Sequence, residues 1–179
     1  MPNPVPATLP VPAALTVSRI VLRILLILNW IYGAIIFAIF VGMFTAERWT
    51  MTALGFAPSA EVGPLILGMR IIAGLGLVGV PLNFIVISRL LAVVNTVRGG
   101  DPFVAQNAAR LQTIAWAVLG QQLLQFAIGM TARSVSTPAH PLHISAFSTG
   151  GWLAVILLFV LARVFAEGSR MRDDLAGTV

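Results

Sequence analysis

Residues 24–44 read ILLILNWIYGAIIFAIFVGMF, an unbroken apolar run without one charged side chain. An α-helix needs about 20 such residues to cross a hydrocarbon core of roughly 30 Å. The run has no polar stripe at helical spacing, so a helix here has no side to turn towards water. Its surroundings agree. The chain has 179 residues, of which 58% are hydrophobic and 9% charged, whereas soluble domains carry about 25% charged residues. Lipid is therefore the solvent that this composition suits.

Outward from that run, the same pattern recurs three times. Ser18 is a candidate cap for the first span, over about 20–44. Arg19 and Arg23, one turn apart, lie at its headgroup end, and Asn29, Trp30 and Tyr32 are in its first turns. A second apolar stretch runs from Pro64 to Val97, with its span over about 64–90; Pro81 lacks the N–H that a helix interior uses, so a kink is expected there. A third span over about 111–130 is the least apolar and holds Gln112, Gln121, Gln122 and Gln125. A fourth covers about 146–165 and opens on Ser148-Thr149-Gly150-Gly151. The expected fold is an all-α integral membrane protein, a four-transmembrane-helix bundle forming a single domain over 17–179.

Residues 1–16 contain five prolines and no charge, which describes an extended arm rather than a signal peptide with its basic start. The connections are a polar-flecked loop over 45–63, a central loop over 98–110, a short loop over 131–145 and a charged tail over 166–179. All 11 basic residues are arginines, against 6 acidic residues. Arg19, Arg23, Arg89, Arg98, Arg110, Arg163, Arg170 and Arg172 flank one side of the spans, and Arg48, Arg70 and Arg133 the other. The positive-inside rule then puts both termini and the central loop in the cytoplasm, with the protein multi-pass in a bacterial inner membrane. This arginine excess marks orientation beside an anionic leaflet rather than direct nucleic-acid binding.

Several motifs invite a chemical reading. Gly74-Leu75-Gly76-Leu77-Val78-Gly79 matches the dinucleotide pattern G-x-G-x-x-G, yet it lies mid-span with no preceding strand, so close helix packing is the better reading. His140 and His143 are too few ligands for a metal. The chain has no cysteine, which removes disulfides and thiolate chemistry. No nucleophile-base pairing or catalytic carboxylate pair is present, so neither an enzyme nor a cofactor is expected. The intramembrane polar residues are Asn29, Arg70, Asn83, Gln121 and Gln125. Arg70 is expected to be clamped by Glu47 or Glu61, and the glutamines to bond across helices to Asn29 or Asn83.

The central loop reads Gly99-Gly100-Asp101-Pro102-Phe103-Val104-Ala105-Gln106-Asn107-Ala108-Ala109-Arg110-Leu111. The glycines suit a helix end, Asp101 a helix cap and Pro102 a first helical position, giving a short surface helix that feeds the third span. G-D-P-F-V-x-x-N-A-x-R-L here resembles the bacterial family called domain of unknown function 2975, the YoaS-like membrane proteins. The tail resembles that family's closing pattern too, at Glu167-Gly168, Met171-Arg172, Asp173-Asp174 and the final Thr178-Val179. The resemblance takes in all but the proline arm. It implies four membrane helices, no assigned activity, and frequent proximity to a small helix-turn-helix regulator.

The function expected is non-enzymatic: docking or signalling to a cytoplasmic partner, such as that regulator, through Asp101, Pro102, Phe103, Asn107, Arg110, Glu167, Arg172, Asp173 and Asp174. The alternatives are a small transporter or ligand-binding bundle with a polar interior around Arg70 and Gln121/Gln125, and a structural or homo-oligomer-forming membrane subunit. The orientation is directly testable. A reporter active only in the cytoplasm should work when inserted after Gly100 or Val179 and fail when inserted after Phe56 or Pro141; the reverse pattern would invert the topology.

Overall fold

In the computed structural model the described residues are 13–55, 62–99, 104–137 and 141–176. They form five α-helices: α1 (Ala13–Thr45), α2 (Glu47–Ala53), α3 (Val62–Arg98), α4 (Ala105–Val135) and α5 (Thr149–Ala176). No β-strand occurs among them. Helices α1, α3, α4 and α5 are long and apolar enough to cross a membrane, so the all-α, four-span architecture expected from the sequence is present. Their outward faces carry exposed Ile24, Ile27, Ile31, Ile35, Leu153, Leu157 and Val164, surfaces that water would not tolerate but lipid matches.

The element boundaries differ from the sequence reading in instructive ways. Helix α1 begins at Ala13, so Ser18 is a helical residue rather than its cap; no proline follows Pro12 to stop the helix from starting there. Part of the 45–63 loop is the short helix α2, broken from α1 at Ala46 and ended by Gly55 at φ +88°. Helix α3 continues through Pro81. The surface helix expected in the central loop is the first part of α4. Its cap position is Val104, in extended conformation and without a side-chain cap bond. Asp101, Pro102 and Phe103, like Glu61 and His140, lie outside the described residues.

The long helices pack in chain order, α1 on α3, α3 on α4 and α4 on α5. Helices α1 and α5 stand at the two edges, and their backbones do not meet among the described residues. The G-x-G-x-x-G glycines serve this packing. Gly76 faces Ile36 of α1 and Gly79 faces Leu124 of α4, so small residues let α3 sit close to both neighbours. Trp30 against Phe84 and Trp116 against Phe159 complete the α1–α3 and α4–α5 contacts, with ring centroids 5.9 and 5.2 Å apart. Leu111, Ile114 and Ala162 form a buried cluster between α4 and α5, covered by Val86, Val118, Leu158 and Phe165.

Cross-helix contacts set the depth of each residue. Arg70 reaches the carbonyl of Met43, Asn29 that of Val80, Gln121 bonds Asn83, and Gly68 faces Val135. Arg133 is therefore level with Arg70, while Arg23 and Arg163 are near the level of Arg89. Between Arg70 and Arg89, α3 rises about 28 Å at ~1.5 Å per residue, which is the thickness of a hydrocarbon core. Helix α5 starts part-way along that stretch of its neighbours. Gly151 lies against the carboxamide of Gln122, near the middle of that layer. The segment 141–148 precedes it as non-helical backbone along the second half of α4, with Ala146 on Gly129 and the Ser145 carbonyl beside Gln125. In this segment Ala146 is buried against α4, whereas Pro141, His143, Ser145 and Phe147 are exposed.

Gly129 is the residue that permits this. A Cβ there would overlap the backbone of Ala146, whereas one on Gly150 would meet nothing within 4 Å. Gly129→Val should therefore abolish recovery of monodisperse protein from detergent. Gly150→Ala should change stability by no more than about 1 kcal/mol, in the stabilising direction. Size-exclusion profiles and thermal melts of the two variants check this contrast.

Candidate functional site

Three polar assemblies interrupt the apolar helices, one near each arginine layer and one between them. At the α2 end, Arg70 of α3 donates through Nη2 to the Met43 carbonyl at 2.7 Å and to Glu47 Oε2 at 2.8 Å, and its Nε lies 3.3 Å from the same carbonyl. Its guanidinium also sits 4.5 Å from the centroid of the Phe44 ring. The Met43 carbonyl is available because α1 breaks at Ala46 and its last carbonyls lose helical partners. This is the expected clamp, with Glu47 as the acid. It ties the end of α1 and the start of α2 to α3.

At the arginine-rich end, Arg110 of α4 closes the α3–α4 turn. Its Nη1 donates to Asn107 Oδ1 at 2.9 Å, to Thr96 Oγ1 at 2.9 Å and to the Ala92 carbonyl at 3.2 Å, and its Nη2 donates to Gln106 Oε1 at 2.8 Å. The Thr96 hydroxyl, with one proton to give, lies 2.7 Å from the Ala92 carbonyl and 3.0 Å from Asn107 Oδ1. Asn107 has no exposed surface. Two of the expected docking residues, Asn107 and Arg110, are therefore engaged inside the fold, holding α4 on α3 where a side-chain cap is absent. Thr96 is the partner that sequence reasoning missed. It sits in an apolar helix end, and only the antiparallel return of α4 puts it opposite Asn107.

Near this end, α5 reaches past α4. Ala162 and Ala166 line a groove with Ala108, Gln112, Phe159 and Arg163, of about 340 Å³. Ser169 is buried, but Arg170, Met171, Arg172 and Asp174 are exposed, because the helix has by then passed the start of α4 at Ala105. Glu167 and Arg170 make a long, exposed ion pair at 3.7 Å, of a kind that contributes little. The side chain of Asp173 lies outside the described residues.

The third assembly occupies the middle layer. Asn29 donates to the Val80 carbonyl at 3.2 Å, beside Pro81, and Gln121 donates to Asn83 Oδ1 at 2.7 Å. The expected glutamine-to-asparagine bond is thus made with Asn83, and Asn29 takes a backbone partner instead. Gln125 makes one long bond, 3.5 Å, to the Ser145 carbonyl. Asn83, Gln121, Gln122, Gln125 and Tyr32 line a cleft of about 390 Å³ floored by Gly76 and Gly79. Gln122 and Tyr32, which are not among the intramembrane polar residues expected from the sequence, join the site only through helix packing. His143 is exposed on the 141–148 segment, and the described residues hold no group of three metal-ligating side chains.

Comparison with known proteins gives one match. A family model described as "Protein of unknown function (DUF2975)" covers residues 73–179, from the middle of α3 to the last residue. No curated protein and no solved structure matches the chain. The matched region contains the Thr96–Asn107–Arg110 clasp and most of the midlayer carboxamides, but neither the Arg70 clamp nor α1.

The clasp predicts a sharp contrast. Arg110→Leu leaves the acceptors of Asn107 and Ala92 without their charged donor and should cost about 2–3 kcal/mol, lowering the melting temperature by roughly 5–10 °C. Gln106→Ala loses only an exposed bond and should shift it by about 2 °C or less. Thermal unfolding in detergent distinguishes the two.

Proposed function

We propose that this chain, which belongs to the DUF2975 family of proteins of unknown function, is a non-enzymatic membrane protein that docks a cytoplasmic partner at its arginine-rich end. The observation that carries this reading is the end of α5. Residues 170–176 continue the helix beyond the start of α4, with Arg170, Arg172 and Asp174 exposed. A helix that runs unbroken from the middle layer into water offers a rigid handle whose cationic and anionic groups steer and orient a charged partner. The neighbouring groove, with Gln112, Arg163 and Phe159 on its walls, supplies a recess for a partner side chain.

The docking surface is accordingly narrower than sequence alone suggests. Asn107 and Arg110 contribute by fixing the α3–α4 turn; the contact residues among those described are Glu167, Arg172 and Asp174, joined by Arg163 and Arg170, and Asp101, Pro102, Phe103 and Asp173 stay in the proposed set. The partner implied by the family resemblance is a small helix-turn-helix regulator. Positive-inside orientation puts this end in the cytoplasm, where such a regulator is found.

Full-length protein in nanodiscs, incubated with cytosol of its own cells, should retain one helix-turn-helix protein near one-to-one stoichiometry. Arg170→Glu with Arg172→Glu should reduce that retention more than tenfold while shifting the melting temperature by about 3 °C or less, since both are exposed. Equal retention by the double variant, or none by the wild type, would sink the docking reading.

A further inference from the structure

The middle layer holds more hydrogen-bonding capacity than the protein itself uses. Among the described residues, Asn83 makes one bond, through its oxygen, and Gln121 one bond, through its nitrogen. Gln125 has only the 3.5 Å contact to Ser145. The Gln122 carboxamide and the Tyr32 hydroxyl have no protein partner there. These groups converge on the one cleft between α1, α3 and α4. Ile144 of the 141–148 segment borders the cleft as well, and Gly151 at the start of α5 lies against Gln122. In hydrocarbon an unpaired amide is costly, and lipid tails offer it nothing.

We propose that this cleft binds a flat, neutral, membrane-soluble carbonyl compound of the quinone type, entering sideways from the bilayer. Neutrality follows from the charge map. Asn83 and Gln125 are separated from Arg89 and Arg133 by about 9 and 12 Å along their helices, and no acidic or basic residue lines the cleft. An ion placed there would lose its hydration without finding a countercharge. Preference for a carbonyl follows from the donor inventory. Each carboxamide brings two N–H donors and one oxygen, and the Asn83 oxygen is already taken by Gln121. Oxygens remain free as well, on Gln121, Gln122, Gln125 and Tyr32, but an unpaired N–H is the less tolerated of the two groups, so the ligand that relieves the larger cost is an acceptor.

Flatness follows from the floor. Gly76 and Gly79 line the cleft without side chains, and with Ile36 and Leu124 drawn against them the space between α1 and α4 is narrow enough to suit a flat ring. The volume of about 390 Å³ falls in the range of small-molecule sites. Access from the bilayer follows from depth, since the cleft sits in the middle of the layer bounded by Arg70 and Arg89. The ligand is bound here, and no redox step is assigned to it. This inference is independent of the docking at the end of α5.

The test uses the full chain in nanodiscs and a benzoquinone carrying a ten-carbon tail with a photoreactive group on the ring. Labelling should saturate and map to peptides containing residues 76–83 and 121–125. Excess unlabelled decyl-benzoquinone should compete, whereas the matching decyl-benzene, which lacks carbonyls, should not. Gln122→Leu leaves the Asn83–Gln121 bond intact and should weaken labelling at least fivefold with an unchanged melting temperature. Asn83→Leu with Gln121→Leu, which removes both partners together, should abolish it. Labelling spread evenly over the lipid-facing helices, competition by decyl-benzene, or full labelling of Gln122→Leu would each overturn the proposal. So would efficient cross-linking between copies through Gln122, which would make a second chain the occupant.

Discussion

Hydrocarbon supplies no hydrogen-bond partner, and every polar group that this chain carries into the membrane must find one in the protein or be left to seek it in a ligand. That constraint explains the distribution of the polar side chains. Asn29, Arg70, Asn83, Thr96, Asn107 and Gln121 all bond across helices or turns. Remove the solvent that makes such bonds necessary and four mostly apolar helices have little to choose one register over another. In lipid, the apolar surfaces themselves give no net drive to associate, and packing with interhelical hydrogen bonds decides the arrangement.

The three polar assemblies differ in how completely they are satisfied. The Arg70 clamp joins a cation to a carbonyl, a carboxylate and a ring face at once, an arrangement that suits a charge near the membrane boundary. The Arg110 clasp surrounds a fully buried asparagine and replaces a conventional helix cap. The middle carboxamides, by contrast, are only partly paired. A chain under selection for stability alone has no physical reason to put four carboxamides and a phenol around one cleft at that depth, since leucine would pack there without any polar demand. The incompleteness of this layer, beside the completeness of the other two, is what points to a bound molecule.

Helix α5 connects the regions. It starts in the middle layer, where Gly151 touches Gln122, and it ends outside the arginine layer with charged residues in water. Its N-terminal groups are held locally, the Ser148 hydroxyl accepting from the Gly151 N–H and the Ser148 carbonyl from the Trp152 N–H. One rigid element thus spans from the cleft's neighbourhood to the proposed docking surface.

Much of this was legible in the residues themselves. Uninterrupted apolar runs such as 24–44 determine four membrane helices, because no other structure satisfies a backbone in lipid. Arginine placement determines where those helices cross, and Arg70 near a span's end asks for an acid that Glu47 supplies. The motif N-A-x-R-L marks the family, and the spacing of Asn107 and Arg110 brings the two side chains together on one helix face. Tertiary structure alone decided the rest. Thr96 and Asn107 meet because α4 returns along α3. Gln122 and Tyr32 reach one cleft because α3 is thin enough at Gly76 and Gly79 for α1 and α4 to approach. The fourth long helix starts level with Gln122, part-way along α4, because Gly129 lets Ala146 lie on α4. Periodicity reports which residues share a face of one helix, but depth and register between helices are properties of contacts between distant segments, and those exist only once the chain has folded.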